Sequence, residues 1–125
     1  MADTYLSVNT PVQLALPRLL ALRERIRAPL MARLAVNRTT LETALRGSAA
    51  SPLPADGGWS AVIRVPHHPG EEERVLRLLT RHGLSVHPGF FFDFPTEAFL
   101  VASLLAPEDE FARGAAILAT DTDQV

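Results

Sequence analysis

The 125-residue sequence predicts an α+β fold: a small, mainly antiparallel sheet of about three strands covered by helices, preceded by a long kinked N-terminal helical segment. Three observations predict it. Leucines at helical spacing, interrupted by Pro17 and Pro29, fill the first 47 residues. Alternating, branched strand patterns occur only after residue 58. Helix start and stop signals then recur between and after those strands.

Thr10-Pro11-Val12-Gln13 reads as a helix start. The Thr10 hydroxyl can accept from an orphan amide, Pro11 suits the first helical position, and Gln13 completes a capping box. Leu14, Leu16, Leu19, Leu20 and Leu22 make this helix apolar on more than one side, a pattern normally buried. Pro17 is expected to bend or divide it. From about Arg23, Ile26, Leu30, Leu34, Leu41 and Leu45 recur at a spacing near four between arginines, an amphipathic helix kinked by Pro29 and ending at Gly47.

Residues 48–58 have linker composition. Residues 59–65 alternate and are stopped by Pro66, as a strand would be. Glu71-Glu72-Glu73 opens a helix with Val75, Leu76, Leu78 and Leu79 as its apolar side. Arg81 and His82 lie in its last turn and Gly83 closes it, as the helix dipole and a left-handed cap favour. A short strand is expected over 84–87 and a second good strand over 99–105. A final helix starts at Pro107-Glu108-Asp109-Glu110 and carries Phe111, Ile117 and Leu118. The resulting division is 1–47 helical segment, 48–58 linker, 59–119 small α+β domain and 120–125 disordered tail.

No run approaches the roughly 20 apolar residues of a membrane span. The first five residues lack the basic and apolar stretches of a signal peptide. A soluble, cytoplasmic chain without membrane contact is expected. Without cysteine there is no disulfide framework. Through Arg46 seven arginines face three acids, a balance of +4, and from Gly47 five arginines face eleven acids, a balance of −6. This segregation reads as solvated helix faces and internal pairing, because a nucleic-acid surface carries a strong basic excess. Among the four histidines, His67 and His68 are adjacent and His82 and His87 flank a turn, so none has the i,i+4 spacing of a helical zinc site and no metal is expected. Phosphate loops and nucleophile elbows are absent.

Gly57-Gly58-Trp59 enters a strand and is followed by an acidic helix start, Gly83-Leu84-Ser85-Val86-His87-Pro88-Gly89, an aromatic segment and Phe99-Leu100-Val101-Ala102-Ser103-Leu104-Leu105. This order resembles the C-terminal small domain of class I/II pyridoxal-phosphate-dependent aminotransferases, fold type I. Upstream, Ala2-Asp3-Thr4-Tyr5-Leu6-Ser7 and Thr10-Pro11-Val12-Gln13 resemble the stretch just beyond the cofactor lysine of such enzymes. The resemblance thus covers nearly the whole chain and corresponds to about the last third of a full enzyme.

Several expectations come with it. Ser7, Asn9 and Thr10 would lie toward a partner subunit's cofactor phosphate, although capping alone also accounts for Thr10. Phe90, Asp93, Val101 and Ser103 would lie at the rim of the substrate pocket, and Asp93 would also suit a turn. The run Phe90, Phe91, Phe92, Phe94 and Phe99 would pack against the large domain or belong to the core. Val101 occupies the position at which many relatives carry a carboxylate-binding arginine, and an isopropyl group cannot replace the two parallel hydrogen bonds of a guanidinium.

All twelve basic residues are arginine; the chain contains no lysine. A guanidinium stays protonated and cannot supply the amine that an imine with pyridoxal phosphate requires. The expectation is therefore an aminotransferase portion with no catalytic residues of its own, binding no cofactor in isolation. It would work as a homo-oligomer or with a separately encoded large domain. The alternative is a non-catalytic interaction or regulatory module that pairs with an aminotransferase or derives from an aminotransferase-like transcription regulator.

Overall fold

The computed structural model describes residues 8–123, in two units divided after Met31. The division falls inside a helix, whereas the linker-like segment 48–58 carries a short strand.

In the first unit, helix α1 spans Thr10–Ala21 and is followed by the start of α2, Arg23–Ala44. Asn9, not Thr10, is the N-cap: its backbone is extended and its side-chain oxygen accepts from the Val12 amide at 3.1 Å. Asparagine outranks threonine at this position, and Thr10 becomes the first helical residue. The Gln13 side chain donates to the Val8 carbonyl. No α1 residue is buried, contrary to the expectation for its leucines; Leu14 is 78% exposed. Leu22 separates the two helices, and Pro17 lies within α1 without ending it.

The second unit holds the rest of α2 and a four-stranded sheet rather than about three strands. The strands are β1 (Ser51–Pro52), β2 (Ser60–Arg64), β3 (His87–Pro88) and β4 (Phe99–Ser103), antiparallel throughout in the order β1-β2-β4-β3. Of the strand expected over 84–87 only His87 pairs, because the chain joins β4 late, at His87 opposite Val101 and Pro88 opposite Leu100. Side chains alternate along a strand. Ala61, Ile63, Leu100, Ala102 and Pro88 therefore share one face, and Val62, Arg64, Phe99, Val101, Ser103 and His87 share the other.

The first face is the core. Ala61, Ile63 and Leu100 cluster with Leu41 of α2, Leu45 just beyond its end, Leu78 of α3 (Glu71–His82) and Phe111, Ala115 and Leu118 of α4 (Glu108–Asp123). Each fully buried aliphatic chain here contributes about 1.5–3 kcal/mol of transfer free energy. Gly83 ends α3 at φ 65°, a conformation glycine adopts without a Cβ penalty.

Polar groups tie these elements together. The buried Asn37 amide of α2 donates to the carbonyls of Leu104 and Ala106, both at 2.9 Å, fixing the chain as it leaves β4. The inward side of α3 is Glu71, Arg74 and Leu78, with Val75 packed against the core; of the expected apolar side Leu78 and Val75 face inward, while Leu76 and Leu79 are exposed. Arg74, fully buried, donates to Asp121 at 3.0 Å and to the carbonyls of Pro66 and His68, while Arg77 forks onto both oxygens of Asp121 at 2.8 and 2.9 Å. Of the segment expected as a disordered tail, residues 120–123 are helical, since α4 runs to Asp123, and Asp121 and Thr122 are buried; residues 124–125 lie outside the described residues.

Burial pushes the Asp121 carboxyl up, but the hydrogen bonds and charges of Arg77 and Arg74 outweigh it and hold the group below its usual range. Desolvation lowers Arg74 despite Asp121, whereas the Asp121 hydrogen bond raises Arg77. A carboxyl depressed by folding contributes stability above its unfolded value of 3.8 and loses it as pH falls through the folded value. Urea midpoints are therefore expected to be insensitive to Asp121 above about pH 5 and to fall below about pH 4, with Asp121→Asn flattening that acid limb.

A candidate site on the open face of the sheet

The face opposite the core holds the candidate site. Its residues are exposed or half-buried except Val101, which is 5% exposed. Strand pairing sets two rows across it: Ser51, Arg64 and Phe99 in one, and Val62, Val101 and His87 in the other. The Arg64 guanidinium carbon lies 5.8 Å from the centre of the Phe99 ring, which stacks on Phe94 at 4.8 Å.

A 3₁₀ turn, Gly89–Phe92, follows β3 and presents Phe90, Phe91 and Phe92, all half or more exposed. His87 lies 6.1 and 6.2 Å from the rings of Phe91 and Phe92, and Phe90 meets Phe91 edge-on at 4.9 Å. These three phenylalanines form an outward aromatic patch, while Phe94 and Phe99 are half-buried.

Glu71 positions this region. Its carboxylate accepts from the amides of Phe90 at 3.0 Å and Phe99 at 2.7 Å, so one buried side chain joins the α3 start to the aromatic turn and to β4. Gly89 completes the joint, since an added Cβ would lie 2.8 Å from the Phe99 Cβ and 2.9 Å from a Glu71 oxygen. In the sequence Glu71 reads as dipole compensation; its longer reach is a tertiary contact without a local signature.

Among the rim residues, Val101 and Ser103 share the open face. Phe90 lies on the aromatic turn, and Asp93 ends that turn at φ 55° as a left-handed cap. The Ser103 hydroxyl accepts from the Leu105 amide at 3.3 Å. A cavity of about 410 Å³ opens on the helix-covered side, where residues 83–86 run apart from β4; Ser103 borders it, and Phe90, Asp93 and Val101 do not. Ser7 lies outside the described residues. Asn9 and Thr10 stand at the start of α1, in the other unit, and the Asn9 side-chain oxygen is engaged as a cap.

The chain's architecture matches solved structures. It is similar to YbdL from Escherichia coli, for which a methionine aminotransferase function has been identified, with TM-score 0.72 and 24% identity over 94% of this chain and 32% of that one. A probable N-succinyldiaminopimelate aminotransferase from Thermus thermophilus matches with TM-score 0.60 and 27% identity over 69% of this chain and 24% of the other. The fold is aminotransferase-like, and the chain covers the small domain. No family model and no curated protein matches it. The small domain spans a third or less of the length of these two structures.

Family resemblance implies pyridoxal phosphate, which these 125 residues cannot hold as a lysine imine. There is no lysine for an imine. Of the three residues assigned to a phosphate, Ser7 is outside the described residues, and Asn9 caps α1 through its side-chain oxygen, which leaves its amide N–H groups as donors. Among the described residues no helix is long and apolar enough to cross a membrane.

Proposed function

We propose that this chain supplies the small-domain portion of a class I/II aminotransferase, transferring amino groups from amino acids to 2-oxo acids. The lysine and cofactor pocket belong to residues outside these 125, and the chain alone does not turn over. One observation carries the reading: nearly the whole chain superposes on a third of an aminotransferase structure, yet it contributes no side-chain amine. The aromatic turn and open sheet face are the surfaces offered to the large domain. Exposed aromatic patches of this kind mark interaction surfaces.

Reducing the purified chain with borohydride in the presence of pyridoxal phosphate is expected to leave no side-chain adduct by peptide mass spectrometry; the terminal α-amine is the one reactive amine. 2-Oxo acid formation is expected at the rate of free cofactor alone. It should rise when a co-purifying, lysine-bearing large domain is added. Turnover by the isolated chain would overturn the reading, as would an inactive reconstituted pair.

A further inference from the structure

We propose that the cavity of about 410 Å³ on the helix-covered side binds a small neutral aromatic molecule of two fused rings carrying one N–H or O–H group. The void follows from how the chain reaches β4. Gly83 ends α3 in the left-handed region, residues 84–86 run without strand pairing, and the ladder starts only at His87 opposite Val101, although β4 continues to Ser103 opposite Ser60. Ile63 and Leu100 fill the core side of the sheet, but the next residue of β4 on that face, Ala102, is small, and Ala106 and Gly114 border the same space. At Gly114 an added Cβ would stand 2.9 Å from the Leu84 Cδ1, so one wall is Leu84 laid against bare helix backbone.

The lining defines the ligand. Its buried part is Leu41, Ile63, Val86, Phe111, Ala115 and Leu118, none more than 8% exposed and all apolar. These side chains offer water no hydrogen-bond partner, so an apolar body gains by displacing loosely held solvent. An apolar cavity of about 150 Å³ already admits a benzene ring. This one is more than twice that size, which suits two fused rings. An ionised body would find no buried counter-charge, so the ligand is neutral. The polar side chains of the lining are all at exposed positions, where a hydrogen-bonding group of the ligand would emerge. Arg113 there donates to Asp109 at 3.2 Å, which leaves Glu110 and Ser85 as acceptors for an N–H or O–H. The site does not depend on the proposed function.

The test titrates the purified chain with indole and reads backbone amide shifts. Saturable shifts are expected at Leu84, Val86, Ala102 and Gly114. Ala102→Leu and Ala106→Leu, which enlarge side chains of the cavity wall, should each weaken binding about tenfold or more while keeping a dispersed amide spectrum. 1-Methylindole, with the rings but no donor, should bind about threefold or more weakly than indole. Leu76→Ser, exposed on α3 and apart from the cavity, should change nothing. Shifts confined to Phe90, Phe91 and Phe92 would place the ring on the outward aromatic patch and overturn the proposal. Shifts that do not saturate, equal binding of 1-methylindole, or equal losses in Ala102→Leu and Leu76→Ser would overturn it too. The map of shifts needs no variant, so it decides even if a leucine variant does not fold. None of these readouts involves turnover, so failure here leaves the aminotransferase reading standing, and failure of that reading leaves the binding result intact.

Discussion

Asp121→Ala is expected to destabilise the fold by about 3–5 kcal/mol, because it leaves the fully buried Arg74 without its counter-charge. Against a total of about 5–15 kcal/mol for a domain, such a loss moves the urea midpoint by one to a few molar or abolishes folding. Asp121 lies in the stretch whose composition reads as a disordered tail, yet it receives three hydrogen bonds from α3. Two comparisons separate a buried charge from a general helix effect. Asp109→Ala breaks the exposed pair with Arg113 and should change stability by less than about 1 kcal/mol. Joint replacement of Arg74 by methionine and Asp121 by leucine should recover much of the loss, since an apolar pair removes the desolvation cost together with the attraction. If Asp121→Ala unfolds at the wild-type midpoint, the clamp between α3 and α4 contributes nothing.

The second large effect is expected at Glu71. Glu71→Ala removes the acceptor for two backbone amides, those of Phe90 and Phe99, and each unsatisfied donor costs about 1–3 kcal/mol. A loss of about 2–5 kcal/mol is expected, together with faster hydrogen exchange at both amides. Glu72→Ala, in the same helical turn and exposed, should lose only about 0.3–1 kcal/mol through the dipole. Equal effects at the two positions would show that Glu71 acts only on its own helix. Glu71→Gln should be intermediate, because its amide oxygen can serve one donor while its amino group faces the other.

These two residues show where sequence reading stops. The acidic first turn of α3, its arginine and histidine in the last turn and its glycine cap are all legible, because each acts within a few residues of itself. So are β2 and β4, whose alternation reports one buried face. The same local logic puts Leu76 and Leu79 on the apolar side with Val75 and Leu78 and reads Glu71 only as part of an acidic helix start, since polarity gives no sign that a charged group has a distant partner 19, 28 or 47 residues away. Thr10 loses the cap to Asn9 for a different reason: two competent capping residues adjoin, and backbone geometry selects between them.

At the candidate site, the phenylalanine run is legible as an aromatic cluster, of which Phe90, Phe91 and Phe92 turn outward and Phe94 and Phe99 are half-buried. The approach of Arg64 to Phe99 is not legible, because it depends on strand order. β2 and β4 are separated by a helix and loops yet pair directly, which sets the guanidinium beside the Phe99 ring.

By itself the sequence determined the layer architecture, the helix termini marked by Gly83 and the α4 acids, and the lack of any lysine amine. These are properties of composition and of near neighbours, to which the chain is committed before it folds. Tertiary structure alone decided that Asp121 is a core anion, that Glu71 ties a helix to two distant segments, and that Arg64, Ser51 and Phe99 form one row. Such outcomes depend on which segments meet, and that is set by burying the apolar sheet face under the helices as a whole.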